Sequence, residues 1–215
     1  MFFRQLFFQN KRHFYGYLFV IPILTIVLFS LPLLQSVLLK TEYHGRWVNE
    51  SAPSWSEISL VSDHSVQTQS LAGLAQEFVW VYFGYLHCDG FCQQQWVTLF
   101  HLMQSLPAEP THVLLVSIDP KRDHPAEFTA LAKELGHQVI PFIPDNLQKA
   151  QALANRFHQP FHLMNPISEE SAIAHAGDIF LIAPDGRIKL IYNGNHWRYD
   201  QLKEDYFRLK KEMQL

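Results

Sequence analysis

Val79-Trp80-Val81-Tyr82-Phe83-Gly84-Tyr85-Leu86-His87-Cys88-Asp89-Gly90-Phe91-Cys92-Gln93-Gln94-Gln95-Trp96 decides how this chain folds. Its first seven residues are aromatic or β-branched apart from one glycine, the pattern of a buried strand. From Cys88 the pattern turns helical. Val97, Leu99, Phe100, Leu102 and Met103 continue it until Pro107 and Pro110 close the helix. Cys88 and Cys92 are the only two cysteines in 215 residues, and they fall where strand hands over to helix. Free amide N–H groups and the helix dipole favour thiolates at such a place. The pair is therefore positioned for redox or metal chemistry, with a structural disulfide as the alternative. A disulfide closing so short a loop removes little unfolded-state entropy, which weighs against a purely structural role. Residues four apart on a helix hold their Cβ atoms about 5–6 Å apart. A disulfide needs about 3.8 Å, so Cys88 is expected just outside regular helix. A metal bridging two thiolates tolerates the wider gap.

Working outward, His112 to Ile118 is a continuous apolar strand of the kind buried in parallel sheets. Pro125 to Leu135 is a helix, with Gly136 just past its end. Gln138 to Ile143 is a short strand and Leu147 to Phe157 a further helix. Asp178 to Ala183 and Arg187 to Tyr192, joined by Pro184-Asp185-Gly186, form a hairpin. Tyr199 to Met213 is a terminal helix with Leu202, Tyr206, Leu209 and Met213 on one face. Ile58, Leu60 and Val66 suggest short opening strands. The order βαβ followed by ββα predicts an α/β, thioredoxin-like fold: a central mixed sheet flanked by helices.

Phe14 to Leu34 holds 21 residues without a charge. At 1.5 Å per helical residue such a run spans the ~30 Å hydrocarbon core of a membrane. Arg4, Lys11 and Arg12 precede it, and acidic residues begin only at Glu42. The basic flank predicts an N-in, single-pass topology. The run is long for a cleaved leader, and no small-x-small site follows it. The expected organisation is a cytoplasmic segment over residues 1–13 and a transmembrane helix over 14–39. A polar stalk over 40–54 and one domain over 55–215 follow. That domain would lie outside the cytoplasmic membrane, in the periplasm rather than in a mitochondrion, where thiols meet oxidants. A net charge of −3 with no basic block argues against a nucleic-acid partner.

Two thiolates need a further ligand to hold a borderline cation, and soft sulfur with imidazole suits copper or zinc. Of the 12 histidines, His175 is the best placed. It lies in Ala172-Ile173-Ala174-His175-Ala176-Gly177, directly before the strand of the late hairpin. A thioredoxin-like fold brings that loop against the cysteine loop. The alternative is an ordinary loop histidine. His87 adjoins Cys88 and reads as an orienting or pKa-lowering group. His137, His158, His162 and His196 read as surface residues.

The stretch from Tyr82 through Cys88 to Cys92 resembles the signature of the Sco/SenC/PrrC family of membrane-anchored copper proteins. Two further stretches agree. Val116-Ser117-Ile118-Asp119-Pro120-Lys121-Arg122-Asp123-His124-Pro125 resembles the family's strand-to-helix turn. Ala174-His175-Ala176, followed by Phe180 to Arg187, resembles its ligand histidine and hairpin. The resemblance covers roughly residues 55–210. It implies copper held by Cys88, Cys92 and His175, with the two cysteines also acting as a redox pair. It also implies a copper-acceptor subunit of cytochrome c oxidase, or another envelope copper protein, as partner. The family has proline after each cysteine. Here Asp89 and Gln93 stand in those positions, and Asp89 is open to reading as a weak extra ligand or as a helix-start residue.

Three other classes compete. A thiol–disulfide oxidoreductase or redox sensor that seldom carries metal needs the cysteines but not His175. A peroxidase on this fold needs threonine or serine and a proline before its cysteine, and Gly84-Tyr85-Leu86-His87 supplies neither. A membrane-tethered interaction module would need only a structural disulfide.

Overall fold

The computed structural model describes residues 20, 22–30, 42–59, 73–88, 91–164, 172–194 and 196–214. The chain divides into two units, residues 1–42 and 43–215. In the first, residues 22–30 are helical. Among the described residues no helix is long and apolar enough to cross a membrane. Most of the run expected to span one, 14–39, lies outside the described residues.

The second unit is built on strand β2 (Phe78–Gly84), every residue of which is buried. It pairs in parallel with β3 (Thr111–Ser117), which pairs in parallel with β4 (Val139–Phe142). On its other side β2 pairs antiparallel with β7 (Ile179–Ile182), then β7 with β8 (Arg187–Tyr192) and β8 with β1 (Arg46–Ser51). The sheet order is β1-β8-β7-β2-β3-β4. A separate two-stranded piece joins β5 (His162–Leu163) to β6 (Ile173–Ala174). The helices are α1 (Trp55–Ser59), α2 (Phe91–Ser105), α3 (Pro125–Leu135), α4 (Leu147–Arg156) and α5 (Tyr199–Glu212). The mixed sheet flanked by helices is thioredoxin-like, as the element order predicts.

Side chains alternate across a strand, so β2 feeds two cores. Val79, Val81 and Phe83 join Leu114, Val116, Phe180 and Ile182 on one face, with Ala150, Leu153 and Ala154 of α4. Phe83 meets Phe157 and Phe180 edge-on at 5.4 and 6.4 Å. Phe78, Trp80 and Tyr82 join Val113, Leu115, Ile179 and Leu181 on the other, covered by α2, α3 and α5. Burying each such large side chain stabilises the fold by about 1.5–3 kcal/mol. Pro125 opens α3, where its missing N–H costs nothing. The Asn146 side chain accepts the Lys149 N–H at 2.9 Å and caps α4.

Two expectations change. Residues 46–51, read from sequence as part of a polar stalk, form the edge strand β1. Of its six residues only Val48 is buried, so an apolar period was never present to read. Ile58, expected in a strand, lies in the short helix α1, and Leu60 and Val66 lie outside the described residues. What docks β1 is polar. The fully buried Asp205 carboxylate accepts both the Gly45 N–H at 2.9 Å and the Tyr192 hydroxyl at 2.8 Å on one oxygen. A Cβ on Gly45 would come within 2.7 Å of the Tyr192 ring, so only glycine passes this close. Tyr43 stacks on Trp47 at 5.3 Å and donates its hydroxyl to Glu212 at 2.8 Å.

Removing the Asp205 carboxylate strands two donors inside the protein. Asp205→Ala is expected to lower the unfolding free energy by about 3 kcal/mol, read by urea denaturation of the full chain. A change within about 0.5 kcal/mol, the range of ordinary surface substitutions, would show that the carboxylate does not hold β1 in place.

Candidate metal centre

β2 ends at Gly84, and the chain turns through Leu86 and His87 before α2 begins at Phe91. Cys88 therefore precedes the helix and Cys92 lies in its first turn, as the geometry of the spacing requires. The two are joined as a disulfide with a Cα–Cα distance of 5.8 Å, inside the ordinary range. Cys88 is 7 % exposed and Cys92 fully buried. Any outside reagent therefore meets Cys88 first. Asp89 and Gly90 lie outside the described residues.

His175 reaches the pair through strand register. Tyr82 of β2 lies opposite Ile179 of β7 in an antiparallel ladder. The segment leading into β7 therefore runs beside the segment leaving β2. His175, four positions before Ile179, meets the cysteine loop there. Its Nε2 lies 3.4 Å from the Cys92 sulfur. The two sulfurs and one imidazole nitrogen all fall within 4.8 Å of one another. Once the disulfide is reduced, the Cys88 and Cys92 thiolates and this imidazole would be the groups to hold a thiophilic ion. Burial pushes the His175 imidazole down to about 4, and the charge of Asp178 opposes this in part. The ring is thus neutral at ordinary pH, the form that offers a lone pair to a metal.

A second layer was not legible beforehand. Asp123, 3 % exposed, accepts the Leu86 N–H at 3.0 Å and the Ser117 hydroxyl at 2.5 Å. Ser117 Oγ in turn accepts the Asp119 N–H at 3.1 Å. The turn after β3 thereby grips the turn before Cys88. His87 is half exposed, its Nδ1 4.0 Å from Asp123, and it does not join the cluster of three. Arg122 pairs with Asp119 and lies over the Tyr85 ring at 5.9 Å. His137, His158, His162 and His196 are exposed, as expected. The sequence signal for Asp123 was its place in the Asp119–Pro125 turn, where a carboxylate beside a proline-started helix reads as an ordinary helix-start residue.

A family model described as SCO1/SenC matches residues 56–210. The mitochondrial SCO2 homolog of Mus musculus is 26 % identical over 145 residues, which cover 65 % of this chain and 56 % of that protein. The corresponding protein of Homo sapiens is 24 % identical over 130 residues, 58 % of this chain and 48 % of its own. The chain thus spans about half the length of these curated relatives. Apo Sco1 from Thermus thermophilus superposes with a TM-score of 0.60 at 18 % identity, over 80 % of this chain and 99 % of that one. Copper-bound ScoI from Arabidopsis thaliana superposes with a TM-score of 0.59 at 17 % identity, over 66 % and 88 %. At such identities the likeness is one of fold.

Burial raises the Asp123 carboxyl to about 6. The charge of Asp119 adds to this, while the Ser117 hydroxyl, the Leu86 N–H and His87 work against it. The folded chain therefore holds this proton more tightly than the unfolded chain, whose carboxyl titrates near 3.8. The stability it contributes is fully present below the unfolded value and lost as pH rises through about 6. His175, held down to about 4, changes the stability in the opposite sense over much of this window, so the Asp123 contribution is read as a difference: between those values the natural chain is expected to lose about 2–3 kcal/mol of unfolding free energy relative to Asp123→Asn. Urea titrations across that window measure it. Identical pH profiles for the two would show that Asp123 does not titrate there.

Proposed function

The chain belongs to the SCO1/SenC family, and from that premise we propose that it binds copper through Cys88, Cys92 and His175 and passes it on during assembly of a copper site. One observation carries this reading: two cysteine sulfurs and a neutral imidazole converge within 4.8 Å. Soft sulfur with imidazole suits copper, and Cu(I) most of all. Copper here is cargo, so the site must release as well as hold it. Thiolates bind only when deprotonated, and oxidation to the Cys88–Cys92 disulfide removes both sulfur ligands at once. The two states exclude each other on one molecule. By family resemblance the acceptor is the copper-bearing subunit of cytochrome c oxidase, or another copper protein of the envelope.

A second reading uses the same pair as a reductant, and the difference in exposure between the cysteines favours it. The Cys88 thiolate attacks an acceptor disulfide, forming a mixed disulfide and releasing one acceptor thiolate. The Cys92 thiolate then attacks Cys88 sulfur and releases the second. Two electrons pass to the acceptor and the Cys88–Cys92 disulfide forms. Reduction would prepare acceptor thiols for the copper that another copy delivers. His175 has no part in that exchange, which is why its position favours metal binding as the primary role.

We further infer that residues 14–39 anchor the chain in the inner membrane with residues 1–13 inside and the domain outside. The uncharged run and its basic flank support this. The connector is shorter than the stretch 40–54, because β1 already belongs to the sheet.

The reduced full chain is expected to bind one copper. Cys88→Ala or Cys92→Ala should abolish tight binding. His175→Ala should weaken it by more than about tenfold, the lower bound for losing even an outer partner of a ligand. Sulfur-to-copper charge-transfer absorption on Cu(II) addition is the readout, and equal affinity in His175→Ala would remove that residue from the site. Separately, a reporter fused after Leu215 should be active only outside the cytoplasm; cytoplasmic activity would overturn the topology.

A further inference from the structure

His175 stands in a loop that is held on both sides by the residues flanking the cysteines. Two positions before it, the Ile173 N–H donates to the Tyr85 hydroxyl at 3.0 Å. Two positions after it, the Gly177 carbonyl accepts from Gln95 Nε2 at 2.9 Å. Tyr85 lies three residues before Cys88 and Gln95 three residues after Cys92. The loop is thus gripped symmetrically by the two ends of the segment that carries the sulfurs. We propose that Tyr85 and Gln95 are positioning residues for His175, holding its imidazole over the cysteine pair so that a metal meets three donors already in place. This rests on the copper-binding reading above.

The polar bonds around Gln95 leave its amide one orientation. Its Nε2 also donates to the Gly194 carbonyl at 3.3 Å, and its Oε1 accepts the Tyr82 hydroxyl. Turned over, the amide oxygen would face two carbonyls and the nitrogen a hydroxyl donor. Gly177 has φ 68°, a left-handed conformation that glycine adopts without strain. Its carbonyl accepts a second bond from Trp197 Nε1 at 3.0 Å. Asp178 follows, tied to Asn193 Nδ2 at 2.8 Å and to the Gly194 N–H at 2.6 Å. On the other side the Tyr85 ring meets the His175 ring edge-on at 6.1 Å.

Apolar packing alone does not require these side chains. Gln95 is 2 % exposed on α2, where an apolar residue would pack without the desolvation penalty of an amide. The amide's donors go to loop carbonyls, one of them two residues from His175. Tyr85 spends its hydroxyl on one backbone N–H, again two residues from His175. Fixing a ligand before the metal arrives removes the ordering cost from binding. Loss of an outer partner of this kind typically lowers metal affinity 10- to 100-fold.

The test uses the reduced full chain in detergent. Tyr85→Phe deletes one oxygen. Gln95→Glu keeps the size of the side chain and the acceptor for Tyr82 but removes both donors to the loop, and Gln95→Met removes all three bonds. Each is expected to weaken copper binding by about tenfold and to diminish the imidazole-nitrogen hyperfine coupling of the Cu(II) form. In a His175→Ala background the same changes should cause no further loss, because there is no imidazole left to position. Full additivity with His175→Ala, or unchanged affinity and coupling, would overturn the proposal. A metal-free readout separates this from the function itself. The His175 imidazole resonance, identified by its absence in His175→Ala, should shift or broaden in Tyr85→Phe and in a Gln95 variant. If the natural chain binds no copper yet this resonance moves, the copper reading fails and the positioning stands. If it stays unmoved, the positioning fails. Should Gln95→Met not fold, Gln95→Glu and the one-atom change at Tyr85 decide.

Discussion

The pairing of β2 with β7 is the constraint on which the rest of the site depends. β2 runs parallel to β3 but antiparallel to β7, with Tyr82 opposite Ile179. Because the directions oppose, the exit of β2 and the approach to β7 share one end of the sheet. The exit carries Cys88 and Cys92, and the approach carries His175. A parallel ladder at the same place would put these loops at opposite ends of the strands. A slip of one residue would exchange the side chains that β7 sends into the two cores. Register is therefore both a packing decision and the reason that Cys92 and His175, 83 residues apart in sequence, meet within hydrogen-bond range.

Apolar burial supplies the stability of this sheet, whereas buried polar groups decide how its ends are arranged. Leaving such a group unpaired costs about 1–3 kcal/mol, so each one favours the arrangement that satisfies it. Asp205 ties β1 and β8 to α5. Asp123 ties the turn after β3 to the turn before Cys88. Gln95 ties α2 to the loops beside β7 and β8. All three sit at seams between elements rather than in the middle of one. The hydrophobic effect has no direction and would tolerate small slides at those seams. Directed bonds do not, and the site lies where two of these seams meet.

Affinity and release pull the same cluster in opposite directions. In the proposed role, a site that is buried and held on both sides would bind metal at little ordering cost, yet would have to give its cargo up. The difference in exposure between the cysteines offers a route. Cys92, buried beside His175, belongs to the interior, while Cys88 is the slightly more exposed of the two. In the proposed role, Cys88 would be the first of the three to meet an acceptor, with Cys92 and His175 the groups left to retain the cargo.

Much of this was decided by sequence alone. The apolar runs of β2, β3 and β7, the proline that starts α3 and the paired cysteines at a strand–helix boundary are local signals. Each arises from side chains within a few positions of one another. His175 as the candidate third ligand was legible only by combining the element order with what that order does to loops. Strand β1 was not legible, because an edge strand with one buried residue has no apolar period. Nor were the roles of Tyr85, Gln95 and Asp123, since an aromatic at the end of a strand, a glutamine in a polar run and an aspartate before a helix each read as ordinary. Their partners lie 88, 82 and 37 positions away. Such bonds exist only after the sheet has closed, so local pattern specified which residues could act and tertiary structure decided what they hold.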